Sequence, residues 1–186
     1  MSSSDPRDEL VEHLPALRAF ALGLTRNRAL ADDMIQDTVL KAWSNIDKFE
    51  PGTNMRAWLF TILRNTFYSN HRKRRREVPD IDNVFSDSMS VKPAHDGKLQ
   101  MHDFKRALDQ LPDEQREALI LVGASGFSYE DAAEMCGVAT GTIKSRVNRA
   151  RARLTELLDL EGEGAMELTD SVTMSVVSGG PGAGSS

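Results

Sequence analysis

Apolar residues recur every three to four positions along most of this chain, the spacing of helices that each bury one face. The pattern predicts a helical region from about Pro6 to Leu24, where Pro15 either kinks the helix or opens a second one at its first position. A second helix is predicted over about Arg28 to Ile46, with Ile35, Val39, Ala42 and Ile46 as its core stripe. A third follows the turn sequence Pro51-Gly52-Thr53-Asn54, is capped by Thr53 or Asn54, and runs to about Arg76. Its buried stripe reads Met55, Trp58, Leu59 and Ile62, with Phe60, Arg64, Tyr68, His71 and Arg75 on the opposite face.

The periodicity then breaks. Glu77 to Lys98 carries two prolines, several Asp and Ser, and no period, which reads as a linker; fully extended it reaches roughly 70 Å. Helical spacing resumes at Leu99 and predicts helices over about Leu99 to Gln110, Asp113 to Gly123, Tyr129 to Cys136 and Gly141 to Leu158. Beyond Glu161 the chain turns to Gly, Ser and acid, a composition expected to stay disordered. The expected fold class is therefore all-α: two small helical domains, 1–76 and 99–160, joined by a flexible linker over 77–98, with a tail over 161–186.

The second domain carries the sharper local signal. Ser128 with Asp131 resembles a capping box, the short helix it opens stops at Gly137, and Thr140 can cap the next helix. That is helix-turn-helix spacing, with the second helix as the candidate reader of a major groove. On it Ile143, Val147, Ala150, Leu154 and Leu157 fall on one stripe. Gly141, Ser145, Asn148 and Ala152 lie opposite, small enough to approach base edges. Lys144 and Arg151 flank one side, and Thr142, Arg146, Arg149 and Arg153 the other, where phosphates would lie. A surface helix with a solvated basic face fits the same pattern.

Charge changes the picture. The net charge is −5, with 40% apolar and 27% charged residues, yet from Pro51 to Arg76 every charged residue is basic, and Ala139 to Leu160 is also predominantly basic. Two basic patches on an acidic body indicate two local contacts with a polyanion. In the third helix, basic and aromatic side chains interleave as single-stranded nucleic acid requires, cations tracking the backbone and rings stacking on bases. Phe60 and Phe67 fit a core position equally well, and the run His71 to Arg76 also fits a merely solubilising or localisation cluster. The second helix has no basic face; it turns outward Asp33, Gln36, Asp37, Leu40 and Lys41, an apolar residue among acids and an amide, or simply a solvated face.

Catalysis finds no footing. The four histidines are scattered, and no metal-ligand, phosphate-loop or nucleophile-elbow spacing occurs, so no catalytic residue, metal or cofactor is expected. Cys136, the single cysteine, sits on the apolar side of a short helix and suits a reducing, cytoplasmic setting. No signal segment and no apolar run long enough for a bilayer are found, so no membrane insertion is expected.

The order of these segments resembles the extracytoplasmic-function (ECF) sigma factors. The acidic DDMIQDTVLKAW, then FEPGTNMRAWLFTILRN, then RKRRRE resemble the core-binding and −10 segments of that family's first domain; LPDEQREALIL and YEDAAEMCGVATGTIKSRVNRARARL resemble its −35-binding domain. The wording from Phe49 to Val78 is similar to the alphaproteobacterial general-stress, EcfG-like subgroup. The resemblance implies a protein that binds core RNA polymerase through the β′ clamp helices and the β subunit, and directs initiation at promoter DNA. Asp33, Gln36, Asp37, Leu40 and Lys41 would dock on the clamp. Asn54, Arg56, Phe60, Arg64, Tyr68, His71, Arg72 and Arg75 would capture the melted −10 strand. Thr140, Thr142, Lys144, Ser145, Arg146, Asn148, Arg149 and Arg153 would read the −35 duplex. The linker would thread the RNA exit path, and an anti-sigma factor would hold the chain inactive. Two rivals fit parts of the pattern. An ordinary helix-turn-helix regulator leaves the first domain unexplained, and a sigma-like decoy for an anti-sigma factor needs neither basic cluster.

Overall fold

A computed structural model of the chain describes residues 5–77 and 97–158, side chains of the second segment from 101 onward. The described residues are helical with no strand. Asp5 caps α1 (Pro6–Glu12), accepting a bond from the Arg7 amide at 2.9 Å, with Pro6 preset for the first turn. The chain breaks at His13, so Pro15 lies in the first turn of α2 (Leu14–Thr25) and kinks nothing. Helix α2 ends on Arg26 in the left-handed conformation (φ 56°), and Asn27 caps α3 (Arg28–Ser44) through a 3.1 Å bond from the Leu30 amide. A 3₁₀ turn (Ile46–Lys48) leads to α4 (Met55–Glu77). Of the two candidate caps, Asn54 takes the role, accepting from the Ala57 amide at 3.0 Å, while Thr53 donates to the Glu50 carbonyl.

The second half begins with α5 (Gly97–Asp109) and α6 (Asp113–Leu119), which runs on into a wide π turn (Ile120–Ala124). Ser128 caps α7 (Tyr129–Cys136) by accepting from the Asp131 amide, and Gly137 closes it at φ 67°, a conformation that costs other residues about 1–2 kcal/mol. Helix α8 (Thr140–Leu157) follows at once. Thr140 is not its cap: Ala139 holds that place with no side-chain bond, and the Thr142 and Ile143 amides turn back to the Ala139 carbonyl.

Helices α2, α3 and α4 pack around Leu17, Phe20, Leu24, Met34, Leu59 and Leu63, all buried. Helices α6, α7 and α8 pack around Leu119, Ala132, Ile143, Val147, Ala150 and Leu154, the stripe expected for α8 apart from the half-buried Leu157. On α3 Ile35 and Ala42 are buried as expected, joined by Ala31, Met34 and Thr38, while Val39 is only half-buried; the helix ends at Ser44, so Ile46 is buried from the 3₁₀ turn that follows. The expected stripe on α4 is rotated. Trp58 and Ile62 are half-buried, whereas Phe60, Leu63, Thr66 and Phe67 are buried with Met55 and Leu59. The physical reason is that α4 is covered from two sides, by α2 and α3 and by α7 of the second half. The two halves are in contact, α6 against α2 and α7 against α4. The linker over 77–98 and the tail over 161–186 lie almost wholly outside the described residues.

Candidate nucleic-acid and polymerase interfaces

Helix α3 turns Asp33, Gln36, Asp37, Leu40 and Lys41 outward, with Leu40 66% exposed. Lys41 also reaches back to the Thr66 hydroxyl on α4 at 3.0 Å, which fixes the helix pair. Trp43 is 50% exposed on the same face, under the Arg7 guanidinium at 5.1 Å. Sequence reasoning passed over Trp43, although its place one turn after Leu40 puts it on that face.

On α4 the residues that alternate ring and cation divide into two groups. His71, Arg72 and Arg75 are exposed beyond the domain body, and the His71 ring stacks on Phe67 at 5.9 Å. Arg72 donates to Ser69, and Asn54 is exposed at the helix start. The other group faces the second half of the chain. Arg64 pairs with Glu117 of α6 at 2.6 Å and lies 4.6 Å over the Tyr68 ring. The Tyr68 hydroxyl donates to the other Glu117 oxygen at 2.9 Å. Arg56 lies 4.7 Å over Phe127, the residue that the π turn after α6 delivers to this face. Phe60 is not on an outer face. It is 1% exposed, stacked on Phe20 at 4.8 Å and edge-on to Phe127 at 5.0 Å, because both halves press on that side of α4.

Glu117 is fully buried, and burial pushes its carboxyl up from the ordinary range, opposed by Arg64 and the Tyr68 hydroxyl. Burial, then the Glu117 charge, push Tyr68 up as well. Its neighbour Arg116 is equally buried and fully engaged: it donates to the Gly23 and Leu24 carbonyls at the end of α2, to the Leu111 carbonyl and to Asp113. Neither charge was singled out from the sequence, since an Arg-Glu pair inside Leu111 to Leu121 fits a helix with one wet face. The only signal available was their place at the head of the apolar run Ala118 to Val122, directly after the polar Asp113 to Gln115.

On α8 Lys144, Asn148, Arg149 and Arg153 are exposed, and Thr140, Thr142 and Ser145 are half-buried along the same helix. Lys144 lies 5.7 Å from the Tyr129 ring, and Arg153 pairs with Glu156 at 2.7 Å. Arg146 departs from the expected phosphate-facing flank. It is 17% exposed and bound to Glu114 at 3.0 Å, so it fastens α8 to α6.

The geometry agrees with the comparisons. Residues 10–77 match Sigma-70 region 2 and residues 101–154 match Sigma-70, region 4. The ECF RNA polymerase sigma factor EcfG of Rhodopseudomonas palustris is 54% identical over 95% of this chain and 96% of that protein. The sigma factor RpoE of Bartonella quintana, solved with the anti-sigma factor NepR, is 59% identical over 83% of this chain and 97% of that one, with a TM-score of 0.72. The structure of CnrH with the cytosolic domain of CnrY is 28% identical, covers 83% of this chain and 88% of that one, and has a TM-score of 0.57. Among the described residues no helix is long and apolar enough to cross a membrane. A helical region 2 joined to a helix-turn-helix region 4, matched in order along nearly the whole length of EcfG, places this chain in the ECF RNA polymerase sigma factor family, as an EcfG-like transcription-initiation factor and not an enzyme.

Proposed function

We propose that three surfaces of this sigma factor divide the work of initiation. The outer face of α3, with Asp33, Gln36, Asp37, Leu40 and Lys41, docks on the β′ clamp helices of core polymerase. Asn54 and the α4 side chains Arg56, Arg64, Tyr68, His71, Arg72 and Arg75 take the melted −10 strand. The α8 surface of Lys144, Ser145, Asn148 and Arg149, with Thr140, Thr142 and Arg153 beside it, reads the −35 duplex. Residues 1–76 and 99–160 act as separate domains on the 77–98 tether, in the cytoplasm, on stress-response genes. The Bartonella quintana relative, solved with the anti-sigma factor NepR, supports control by an anti-sigma factor. The single observation that carries the docking assignment is the pair Leu40 and Trp43, both exposed one turn apart on the same face of α3 among acid and amide side chains: adjoining large apolar side chains rimmed by polar ones mark an interaction surface.

The test is co-purification with core polymerase. Asp37→Arg and Leu40→Arg are each expected to abolish it while circular dichroism and thermal unfolding stay as in the parent, because both side chains point away from the core. Full retention of β′ by both variants refutes the docking face.

A further inference from the structure

A cavity of about 420 Å³ opens where the end of α2 and the start of α3 meet α4, α5 and α6. That size holds a small molecule, for which about 300–1,000 Å³ is usual. Phe67, Asn70 and Arg74 line it from α4, and Lys105 and Asp109 from α5, spaced so that each helix gives it one face. Its floor is apolar, with Leu24, Met34 and Phe67 buried. The Phe67 and His71 rings stack 19° from parallel and supply an aromatic wall.

The rim carries both charges. Arg26, Arg74 and Lys105 face Asp33, Asp109 and Asp113, and Asp113 is taken by Arg116 at 2.6 Å. Burial pushes the Asp109 carboxyl up, and the nearby Arg26 and Lys105 charges oppose that push. Among the described residues Arg74 and Lys105 enter no ion pair, and the half-buried Asn70 amide no hydrogen bond. A bare polyanion meets repulsion from Asp33 and Asp109, and an apolar ligand leaves the rim unmatched. A molecule with phosphates for the cations, hydroxyl and ring N–H donors for the carboxylates, and a flat ring for the aromatic wall satisfies all three. We therefore propose that this cleft binds a nucleoside polyphosphate, its ring against Phe67 and His71 and its phosphates on Arg74 and Lys105. Asp33 and His71 also belong to surfaces assigned above, so the test leaves both unchanged.

The test is isothermal titration of the full chain, at physiological salt, with ATP, GTP, inorganic tripolyphosphate and adenosine. At least one of the two nucleotides is expected to bind one-to-one, and tripolyphosphate and adenosine about ten-fold more weakly or less. Arg74→Glu and Lys105→Glu, both at exposed positions, are each expected to weaken the nucleotide by about ten-fold or more, with the melting temperature of the free protein unchanged. Arg76→Glu, on α4 outside the cleft, is expected to leave binding as in the parent. No binding of either nucleotide overturns the proposal. So does tripolyphosphate that matches the nucleotides, which denies the ring a seat. Equal losses from Arg76→Glu and Arg74→Glu also overturn it, since they reduce the contact to diffuse attraction by the basic end of α4.

Discussion

Thr38 carries a hydroxyl into the core of the first domain, fully buried and without a hydrogen-bond partner among the described residues. An orphaned buried hydroxyl costs about 1–3 kcal/mol. Thr38→Val keeps the shape and removes the polar atom, so urea unfolding should show a gain of about that size; a loss would mean the hydroxyl has a partner in solution. Cys136 makes the opposite case, a polar group well matched to its site. Burial, then the nearby Glu117 charge, raise its thiol from the usual 9.0 to about 11. A folded-state value above the unfolded one contributes stability that is complete below pH 9 and is lost as pH rises through 11. The unfolding midpoint should therefore fall between those values, Cys136→Ala should flatten that limb, and the folded thiol should react slowly with iodoacetamide near neutrality. A thiol labelled as fast as in urea would contradict the burial. The core role of Cys136 was legible from its place on an apolar helix face. The burial of Arg116 and Glu117 was not, because the groups that cover them, the Gly23 and Leu24 carbonyls for Arg116 and the Arg64 and Tyr68 side chains for Glu117, lie far away along the chain.

Helices were the most legible level, since caps are written locally. Of the caps read from the sequence, Asn54 and Ser128 accept the expected amides and Thr140 does not, while Asp5 and Asn27 cap α1 and α3 by the same rule. What misled was the assumption of one buried face per helix. It serves α8, whose stripe is buried down to Leu154, and fails for α4, which is packed from both sides. The outward face of α8 supports a division between base and backbone contacts. Arg149→Ala should cost about 1–3 kcal/mol at promoters with an intact −35 element and relax the choice of base there. Lys144→Ala should weaken binding to all duplexes alike and lower the salt slope by about one. Equal losses by Arg149→Ala on intact and scrambled −35 duplexes would assign it to phosphate instead.

For the molecule as a whole, two helical domains and two basic patches were legible, while their mutual contact was not: no local pattern reports that Phe127 meets Arg56. That contact leaves one part of α4 free. As a 23-residue helix it is a rod about 34 Å long, and its basic end from Arg72 to Arg76 is exposed beyond the region covered by α6 and α7. The chain should bind duplex of arbitrary sequence weakly, and Ala at Arg74, Arg75 and Arg76 together should reduce the steepness of log K against log salt by about 2 to 3. An unchanged slope would place those cations elsewhere. Because the exposed cationic tip and the covered side chains share one rigid rod, a polyanion held at the tip lies in line with the stretch that the second half covers, and neither can be moved without the other.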